Sequence, residues 1–435
     1  MKSSGRRPTL LILNDQYPFR ADLPNLGDRA LQQGFRILCS RLSDCEVLSG
    51  RWKAFPHLTA RRYRGFREPA AALDRWHRSA SSYSAPRVAL ESRIAALLAS
   101  PWVSDGARSW ADRRVRVNTG LGVVAALEPR LLRAHHAARL LAQLAAADLV
   151  MFNAGGLIAD HLGRYLPERL FQVALATRMR KPTAVVNYSV SLAEPRNVAL
   201  GAAVLGAVDL HAVREPRSAE RLAELGVSAS RVIVSIDAAF AVDAPPPEPF
   251  AARGPDIGIM IRGDRAADLG AWSGLIERLR ARTGARIHYL QGCHKHDPPV
   301  RRALGARCGL DDDGRALSLV DLLRAMGRMR LVITDRYHGA VFAIQTQTPL
   351  VAVTATTHKT DGLFSAFDYP VPVLPPLSMA LVDSYLGWID RALDGGPALA
   401  ARLGAIHDEA RRQLFTDYQH LFSRLGVART PGLSP

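Results

Sequence analysis

Short apolar runs recur along the chain, and segments with helix-like spacing of apolar positions separate them. Such continuous runs are typical of parallel strands that helices cover on both faces. The predicted strands of a first series are TLLILN (9–14), DLVMFN (148–153), TAVVNYSV (183–190), LHAV (210–213) and VIVSI (232–236). Those of a second series are DIGIMI (256–261), RIHYL (286–290), LVIT (331–334) and LVAV (350–353). The alternation predicts an α/β protein built on parallel sheets.

A proline-rich segment, APPPEPFAARGP (244–255), separates the two series. We therefore predict two doubly wound parallel-sheet domains that face a cleft, an arrangement that suits the 435-residue length. The predicted units are an N-terminal α/β domain (1–245), a C-terminal α/β domain (256–375) and terminal helices (376–435). Residues 51–147 do not follow the alternation, and their apolar positions three and four apart predict a helical insertion in the first domain.

Composition indicates a globular protein, with 48% hydrophobic and 22% charged residues. No apolar run reaches the ~18 to 20 residues that cross a bilayer, and the start of the chain has no signal-peptide core. The four cysteines form no CxxC pair, so reduced thiols are expected. We expect a cytoplasmic protein.

Basic residues are concentrated near the beginning of the chain. The formal net charge is +17, and residues 1–120 hold 21 basic against 10 acidic side chains, a net +11. The stretch 51–67 is a candidate for peripheral contact with anionic lipid headgroups at the inner face of a membrane. The alternative is an arginine-rich solvated surface, since exposed charges commonly contribute little. No nucleic-acid partner is expected.

Charged residues follow the last two predicted strands. Arg336 and His338 lie in the segment DRYHG that follows LVIT, and Lys359 follows LVAV through the loop TATTH. Ligands of parallel sheets bind outside the carboxyl ends of the strands, and a helix start offers unpaired N–H groups to an anion. A forked guanidinium, a titratable imidazole and a compact ammonium at one edge predict a site for a small, doubly charged anion. On spacing alone, a surface arginine and a capping histidine explain the motif equally well.

Other strand ends supply further candidates. Asp28 stands at a helix start and is either a helix cap or a contact to a second substrate. The paired glycines after DLVMFN allow close approach of the backbone to a ligand, and one arginine follows a strand in each domain. These candidates are Asn25, Asp28, Gly155, Gly156, Arg214 and Arg262.

One histidine-rich segment imitates a zinc site. His288, Cys293, His294 and His296 lie within RIHYLQGCHKHDPP. Structural zinc usually takes four ligands from paired motifs, whereas these candidates crowd one strand and its following loop. No metal is expected, and His294 is predicted to line the cleft instead.

Four motifs in order along the chain, NLGDRAL, DLVMFNAGG, HAVREPRS and DRYHGAVFAIQTQTPLVAVTATTHKTDGL, resemble those of the polysaccharide pyruvyl transferase family. Tyr337 stands where the family usually has leucine, and Asn153 and Ala154 precede the glycine pair where a further glycine is common. The resemblance implies a fold like the GT-B glycosyltransferases. It also implies transfer of pyruvate from phosphoenolpyruvate to a sugar as a cyclic ketal.

The implied chemistry needs a general acid and a general base. His338 is the expected acid, with His211, His294 and His358 as the alternatives, and Asp28 or His211 is the expected base. Arg336, Arg214, Lys359 and the helix that starts at His338 are expected to hold the donor, and Arg262 is expected to bind substrate. No cofactor is expected beyond phosphoenolpyruvate as substrate. The expected acceptor is a polysaccharide or its lipid-linked precursor. Two alternatives stay open, a glycosyltransferase that uses a nucleotide sugar and a non-catalytic protein that binds glycan or lipid headgroups.

Overall fold

The structure is a computed structural model, which describes residues 6–14, 25–50, 143–162, 165–264, 267–311, 314–354 and 359–429. The helical insertion predicted for 51–147 lies almost entirely outside the described residues, as do the basic stretch 51–67 and His358.

A six-stranded sheet in the order β2-β1-β3-β4-β5-β6 forms the first domain, and all of its strand pairs are parallel. Its strands are β1 (Thr9–Leu13), β2 (Glu46–Gly50), β3 (Leu149–Ala159), β4 (Thr183–Ser191), β5 (Leu210–Val213) and β6 (Val232–Val234). The apolar pattern did not predict β2, because EVLSG has only two large apolar residues and lies at the sheet edge. Its helices are α1 (Leu26–Leu42), α2 (Tyr165–Arg178), α3 (Pro195–Leu205) and α4 (Pro216–Glu224).

A second parallel sheet, in the order β10-β9-β7-β8, forms the other domain. Its strands are β7 (Asp256–Met260), β8 (Arg286–Tyr289), β9 (Leu331–Thr334) and β10 (Leu350–Ala352). The helices that follow are α5 (Leu269–Thr283), α6 (Asp297–Cys308), α7 (Leu319–Met326), α8 (Tyr337–Gln345) and α9 (Lys359–Ser365), and then α10 (Val382–Asp394) and α11 (Gly396–Arg424). The predicted two-domain α/β fold with parallel sheets is therefore confirmed.

The two domains share a continuous apolar core. One cluster of buried side chains runs from Leu10 of β1 through Phe240 to Ile333 of β9. Gln345, at the end of α8, donates from Nε2 to the carbonyl oxygens of Ala239 and Val242 at 3.0 Å each. Because a buried amide needs such partners, these bonds tie the second domain to the segment that follows β6.

The last helix returns to the first domain. α11 packs against α1 and α8. Beyond its end, the carbonyl of Val427 accepts from the backbone N–H of Asp44 at 3.1 Å, and the N–H of Arg429 donates to the carbonyl of Leu42 at 2.9 Å. The end of the described chain therefore fastens the two domains together. Within the part of the chain that the structure describes, no helix has both the length and the apolar character needed to cross a membrane.

Candidate active site

A cavity of about 610 Å³ lies between the carboxyl ends of the two sheets. Both domains contribute to its wall, as the topology of facing parallel sheets requires. The predicted site residues that line it are Asn25, Asp28, Gly155, Gly156, Arg214, Arg262, Arg336, His338 and Lys359. His294 is not among the lining residues, although its neighbours Cys293 and His296 are.

The start of α8 forms one wall of this cavity. After β9, the hydroxyl of Thr334 accepts from the N–H of Arg336 and donates to the carbonyl of Met260, both at 3.0 Å. A Cβ atom on Gly339 would lie 2.3 Å from that hydroxyl, so glycine is needed for the turn to close. Tyr337, His338 and Gly339 all line the cavity, and the first N–H groups of a helix lack intrahelical partners. The turn therefore directs an anion-binding helix start at the cavity.

His338 reaches across the cleft to the first domain. Its Nε2 lies 3.5 Å from Oδ2 of Asp237, an ion contact rather than a well-formed hydrogen bond. A Cβ atom on Gly27 would lie 2.2 Å from His338 Nδ1, so the ring packs directly on the start of α1. The ring of Phe342 stacks at 6.2 Å between centroids. Packing from both domains therefore fixes the imidazole.

Asp237 is a site residue that the sequence analysis missed. It is 0% exposed, and its Oδ2 lies 2.5 Å from Arg214 Nη1. Burial alone would raise the pKa of this carboxyl, but the charges of Arg214 and His338 hold it well below its usual value. Its position could have identified it, because Asp237 follows the predicted strand VIVSI directly, and other candidate site residues also follow predicted strands.

Arg214 is buried at the end of β5. Its Nη2 donates to the hydroxyl of Ser189 at 2.9 Å and to the carbonyl of Gly155 at 3.4 Å. Its guanidinium lies 4.8 Å from the centroid of the Tyr337 ring, which belongs to the other domain. Tyr337, the residue that replaces the usual leucine, therefore adds a contact between Arg214 and α8.

Arg336 pairs with a second buried carboxylate. Its Nη2 forms an ion pair with Oδ1 of Asp297, which is 0% exposed. Asp297 also accepts from the backbone N–H groups of Gly292 at 2.9 Å and Cys293 at 2.7 Å. The Nε atom of Arg336 is buried and has no hydrogen-bond partner among the described residues. The guanidinium is thus held by its outer nitrogen while one donor stays unused.

Arg262 forms a bidentate pair with Asp264, with Nε and Nη2 at 2.9 and 2.6 Å from the two carboxylate oxygens. These hydrogen bonds lower the pKa of Asp264 to about 2. The backbone N–H of Arg262 donates to Oδ1 of Asp335 at 2.8 Å. Burial raises the pKa of Asp335 to about 6, in spite of the nearby charges of Arg336 and Arg262. Three of the four arginines that line the cavity, Arg214, Arg262 and Arg336, are therefore each paired with an aspartate.

Lys359 is the first residue of α9, and it faces the glycine pair of the first domain. A Cβ atom on Gly156 would lie 3.0 Å from its Nζ, so the missing side chain makes room for the ammonium. Burial, together with the positive charges of Arg214 and Arg262, lowers the pKa of Lys359 to about 7. Lys359 can therefore gain or lose a proton near neutral pH.

Asp28 and Asn25 divide the two roles that the sequence left open. Asn25 caps α1, since its Oδ1 accepts from the N–H groups of Gly27 at 3.0 Å and Asp28 at 3.4 Å. Asp28 does not cap the helix, and its side chain is exposed to the cavity. The surrounding protein raises the pKa of Asp28 by desolvation, while the charges of His338 and Arg214 oppose the rise.

His211 does not belong to the site, and its candidacy as base or acid was wrong. Its side chain is 0% exposed within β5 and does not line the cavity. Nε2 lies 3.2 Å from the carbonyl oxygen of Leu205 and Nδ1 2.6 Å from the hydroxyl of Tyr188. Burial lowers the pKa of His211 to about 4. A neutral imidazole enclosed in the sheet cannot reach a substrate.

The wall on the first-domain side is rich in amides. β3 does not stop at Asn153 as predicted but continues to Ala159, with a register shift after Gly155, whose φ is +55°. The Asn14 amide donates to the carbonyl of Asn153 at 2.8 Å, and both residues line the cavity. The sequence analysis did not select them as site residues, although each is the last residue of a predicted strand, TLLILN or DLVMFN. Together they offer uncharged hydrogen-bonding groups.

No group of three or more histidine, cysteine, aspartate or glutamate side chains in the described ranges is arranged to hold a metal ion.

Solved structures share this two-domain architecture. Anabaena HepE in complex with UDP and glucose aligns with a TM-score of 0.52 at 12% identity, over 97% of this chain and 100% of that one. The S. aureus MnaA–UDP structure aligns with a TM-score of 0.51 at 13% identity, over 96% and 97% of the two chains. A putative UDP-N-acetylglucosamine 2-epimerase from Listeria monocytogenes aligns with a TM-score of 0.51 at 12% identity, over 98% and 100%. The fold is therefore GT-B-like, as predicted.

The family is given by the sequence itself. The family model for polysaccharide pyruvyl transferase matches residues 25–356, more than half of the 435-residue chain. The matched range starts at the cap of α1 and contains Asp28, Arg214, Arg336 and His338. No curated protein sequence matches the chain. The protein belongs to the polysaccharide pyruvyl transferase family, and its general role is pyruvyl transfer in polysaccharide synthesis.

Proposed function

We propose that the protein transfers the pyruvyl group of phosphoenolpyruvate to a sugar of a polysaccharide, or of its lipid-linked precursor, as a cyclic ketal. One observation carries the proposal. His338, Lys359 and four arginines, Arg169, Arg214, Arg262 and Arg336, meet a helix start around a single cavity. Phosphoenolpyruvate carries a carboxylate and a phosphate close together, and such a dianion needs cations and N–H donors on several sides.

The arginines have a particular part in holding this donor. Arg214, Arg262 and Arg336 are each paired with an aspartate, so these three arginines add little net positive charge to the cavity. The pairs fix the direction of each guanidinium, and a buried donor such as Arg336 Nε can then bind a phosphate or carboxylate oxygen. The ammonium of Lys359 and the first N–H groups of α8 add attraction that no aspartate pair cancels. Donor binding is therefore directional as well as electrostatic.

The reaction requires one proton to be delivered to carbon. His338 protonates the methylene carbon of the enol, which makes the neighbouring carbon electrophilic. A sugar hydroxyl adds to that carbon and loses its proton to a base. Phosphate then leaves with the electron pair of its C–O bond and takes up the proton held by the base. A second hydroxyl of the sugar adds to the same carbon, returns a proton to His338 and closes the ring. The products are the ketal and inorganic phosphate.

Asp28 is the proposed base. With His211 enclosed in the first sheet, Asp28 is the remaining base candidate, and its carboxylate is exposed to the cavity. Its raised pKa makes it a better proton acceptor than an ordinary surface carboxylate. The amides of Asn14 and Asn153 are suited to the acceptor, because sugar hydroxyls need donors and acceptors rather than charge. The donor therefore lies nearer α8, and the acceptor nearer β1 and β3.

The experiment is an incubation of the protein with phosphoenolpyruvate and a panel of glycans and lipid-linked oligosaccharides. We expect release of phosphate together with an equal amount of glycan that has gained a pyruvyl ketal by mass spectrometry. Phosphate release with no glycan product would contradict the proposal.

A binding measurement separates the second candidate, a glycosyltransferase. Two of the structurally similar proteins, HepE and MnaA, were solved with UDP, so UDP-sugars are the matched comparison. A ligand that binds the folded state alone raises the melting temperature. Stabilisation by phosphoenolpyruvate and not by UDP-sugars is expected, and the opposite result would favour the nucleotide-sugar enzyme. Stabilisation by glycan alone would favour a non-catalytic binder.

A further inference from the structure

The segment that leaves β6 carries a buried carboxylate to the boundary between the domains. Asp237 is fully enclosed there, in a chain segment that leads on to the second domain. A buried carboxylate is costly unless it is paired and hydrogen-bonded. Both carboxylate oxygens of Asp237 therefore need partners in the protein.

One oxygen anchors the side chain, and the other is shared. Oδ1 accepts from the backbone N–H of Ala239 at 2.8 Å. Oδ2 lies 2.5 Å from Arg214 Nη1 in the first domain and 3.5 Å from His338 Nε2 in the second. A single carboxylate oxygen thus faces a donor-binding arginine and the proposed proton donor.

Both domains hold this carboxylate in place. The N–H of Ala238 donates to Oδ1 of Asn187 at 2.9 Å, and Gln345 of α8 donates to the carbonyl of Ala239. A Cβ atom on Gly34 of α1 would lie 1.8 Å from the carbonyl oxygen of Ala238, so the helix and this segment are in backbone contact. The segment has no room to shift, and its carboxylate is preorganised.

We infer that Asp237 is a positioning residue that faces Nε2 of His338, selects the tautomer with the proton on Nε2 and leaves Nδ1 as the nitrogen that exchanges a proton with the substrate. The geometry points this way, because Nε2 is buried 3.5 Å from Oδ2 of Asp237 with no hydrogen-bond partner among the described residues, whereas Nδ1 lies on the side of Gly27, which lines the cavity. A carboxylate beside a histidine favours the charged form and selects the tautomer. The link to catalysis rests on the proposed role of His338 as the acid.

Other charges also act on His338 and set the background for this effect. Asp28 of α1 favours the imidazolium, whereas Arg214 and Lys359 at the cavity oppose it. The ring of Tyr337 packs edge-on against the imidazole at 5.2 Å between centroids. Asp237 differs from all of these, because its carboxylate stands directly at a ring nitrogen.

A matched pair of variants tests the inference. Asp237→Asn removes the charge beside His338, and Asp297→Asn removes an equally buried charge that pairs with Arg336. The pKa of His338 is measured by NMR of protein labelled with ¹⁵N-histidine, with His338→Gln to assign the resonance. We expect Asp237→Asn to lower the pKa by about one unit or more, the usual effect of a nearby opposite charge. If Asp297→Asn changed the pKa of His338 as much as Asp237→Asn does, the inference would be overturned.

The unmodified protein provides a second test that does not depend on a variant folding. At high pH, the ¹⁵N shifts of His338 report which ring nitrogen keeps its proton. The expected tautomer carries it on Nε2, facing Asp237. A proton on Nδ1 would sink the inference.

Kinetics separate this inference from the proposed function. If His338 is the acid, activity falls as pH rises through its pKa, and Asp237→Asn should move that fall to lower pH by the same amount as the NMR titration. If His338→Gln keeps full turnover, the acid role fails while the NMR result still decides the position of Asp237. If His338→Gln is inactive and Asp237→Asn moves neither titration, the inference about Asp237 alone fails.

Discussion

Two buried arginine–aspartate pairs stand at the cavity, one at the rim of each sheet. Arg214 pairs with Asp237 in the first domain, and Arg336 pairs with Asp297 in the second. Both aspartates are 0% exposed; Asp237 lies shortly after β6, and Asp297 is the first residue of α6. From composition and burial alone the two pairs would be judged equivalent.

Their remaining partners make them different. Asp297 accepts from backbone N–H groups of its own domain, Gly263 at 3.1 Å and Gly292 at 2.9 Å, and so holds together the loops that follow β7 and β8. Asp237 instead faces His338 from the opposite domain. The same pair of residue types is a local clamp in one place and an interdomain contact in the other. The further partners of each aspartate, rather than its ion pair with arginine, determine which of the two roles it has.

The largest expected effect concerns His338 itself. We predict that His338→Gln loses on the order of 10² to 10⁴ in turnover, because glutamine cannot protonate carbon. Glutamine still donates a hydrogen bond, so phosphoenolpyruvate should bind within about tenfold of the parent, or ~1.4 kcal/mol. Steady-state kinetics and calorimetric titration measure the two quantities. Full turnover with lost donor binding would make His338 an anion ligand only.

A substitution in the first domain should displace the His338 ring without replacing His338 itself. In Gly27→Ala the new methyl group would overlap His338 Nδ1, so the ring must move. We predict a fall in turnover of roughly 10², the usual cost of a misplacement of about 1 Å. Gly387→Ala in α10 is the control, because a Cβ there meets nothing within 4 Å. Equal turnover in both variants would show that the packing of His338 on α1 is unimportant.

The clamp of the second domain can be probed by Arg336→Lys. The charge is kept, but the fork that binds Asp297 and one further group is lost. We predict donor affinity lower by about 2 kcal/mol, or about 30-fold, with a smaller effect on the pH dependence. Arg324→Lys, at an exposed ion pair with Asp321, is the control that should leave affinity unchanged. Unchanged affinity in Arg336→Lys would remove Arg336 from the donor site.

The smallest expected effect is a pH dependence of donor binding. Because the pKa of Lys359 is lowered to about 7, this side chain is charged below neutral pH and loses its charge as pH rises. Affinity for phosphoenolpyruvate should therefore weaken above pH 7, by at most about tenfold per pH unit. Calorimetric titration of the parent and of Lys359→Arg compares the slopes, and the variant should be flatter since arginine stays charged. Lys295→Arg, outside the cavity lining, should keep the parent slope, and a steep slope in Lys359→Arg would assign it to another group.

The strand pattern predicted most of the fold, for a local reason. Nine of the ten strands in the described residues were expected from apolar runs, since a strand covered on both faces must be apolar throughout. β2 was not predicted, because an edge strand with polar ends lacks a continuous apolar run. β3 was expected to stop before its glycines, but its partner β4 continues the pairing beyond the irregularity at Gly155. Pairing with a neighbour is not written in the strand's own sequence.

Some residues of the candidate site could likewise be predicted from the sequence, and others could not. Residues directly after a strand, such as Arg214 and Arg336, could be selected from sequence, because parallel strands place their carboxyl ends at one edge. His211 was wrongly selected because a residue within a strand may point into the sheet or out of it, and only the packing around it shows which. His294 illustrates the limit for loops, where neighbouring residues face different directions.

By itself, the sequence determined the two parallel-sheet domains, the edge of each sheet at which chemistry gathers and the family to which the chain belongs. These follow from periodicity and from motifs that are short in sequence. Only the tertiary structure decided the partners of the charged groups: the aspartate beside each arginine, the carboxylate opposite His338 and the burial that lowers the pKa of Lys359. The physical reason is that the strength and protonation of a charge depend on distance and solvent exposure, and both are set when distant segments pack together.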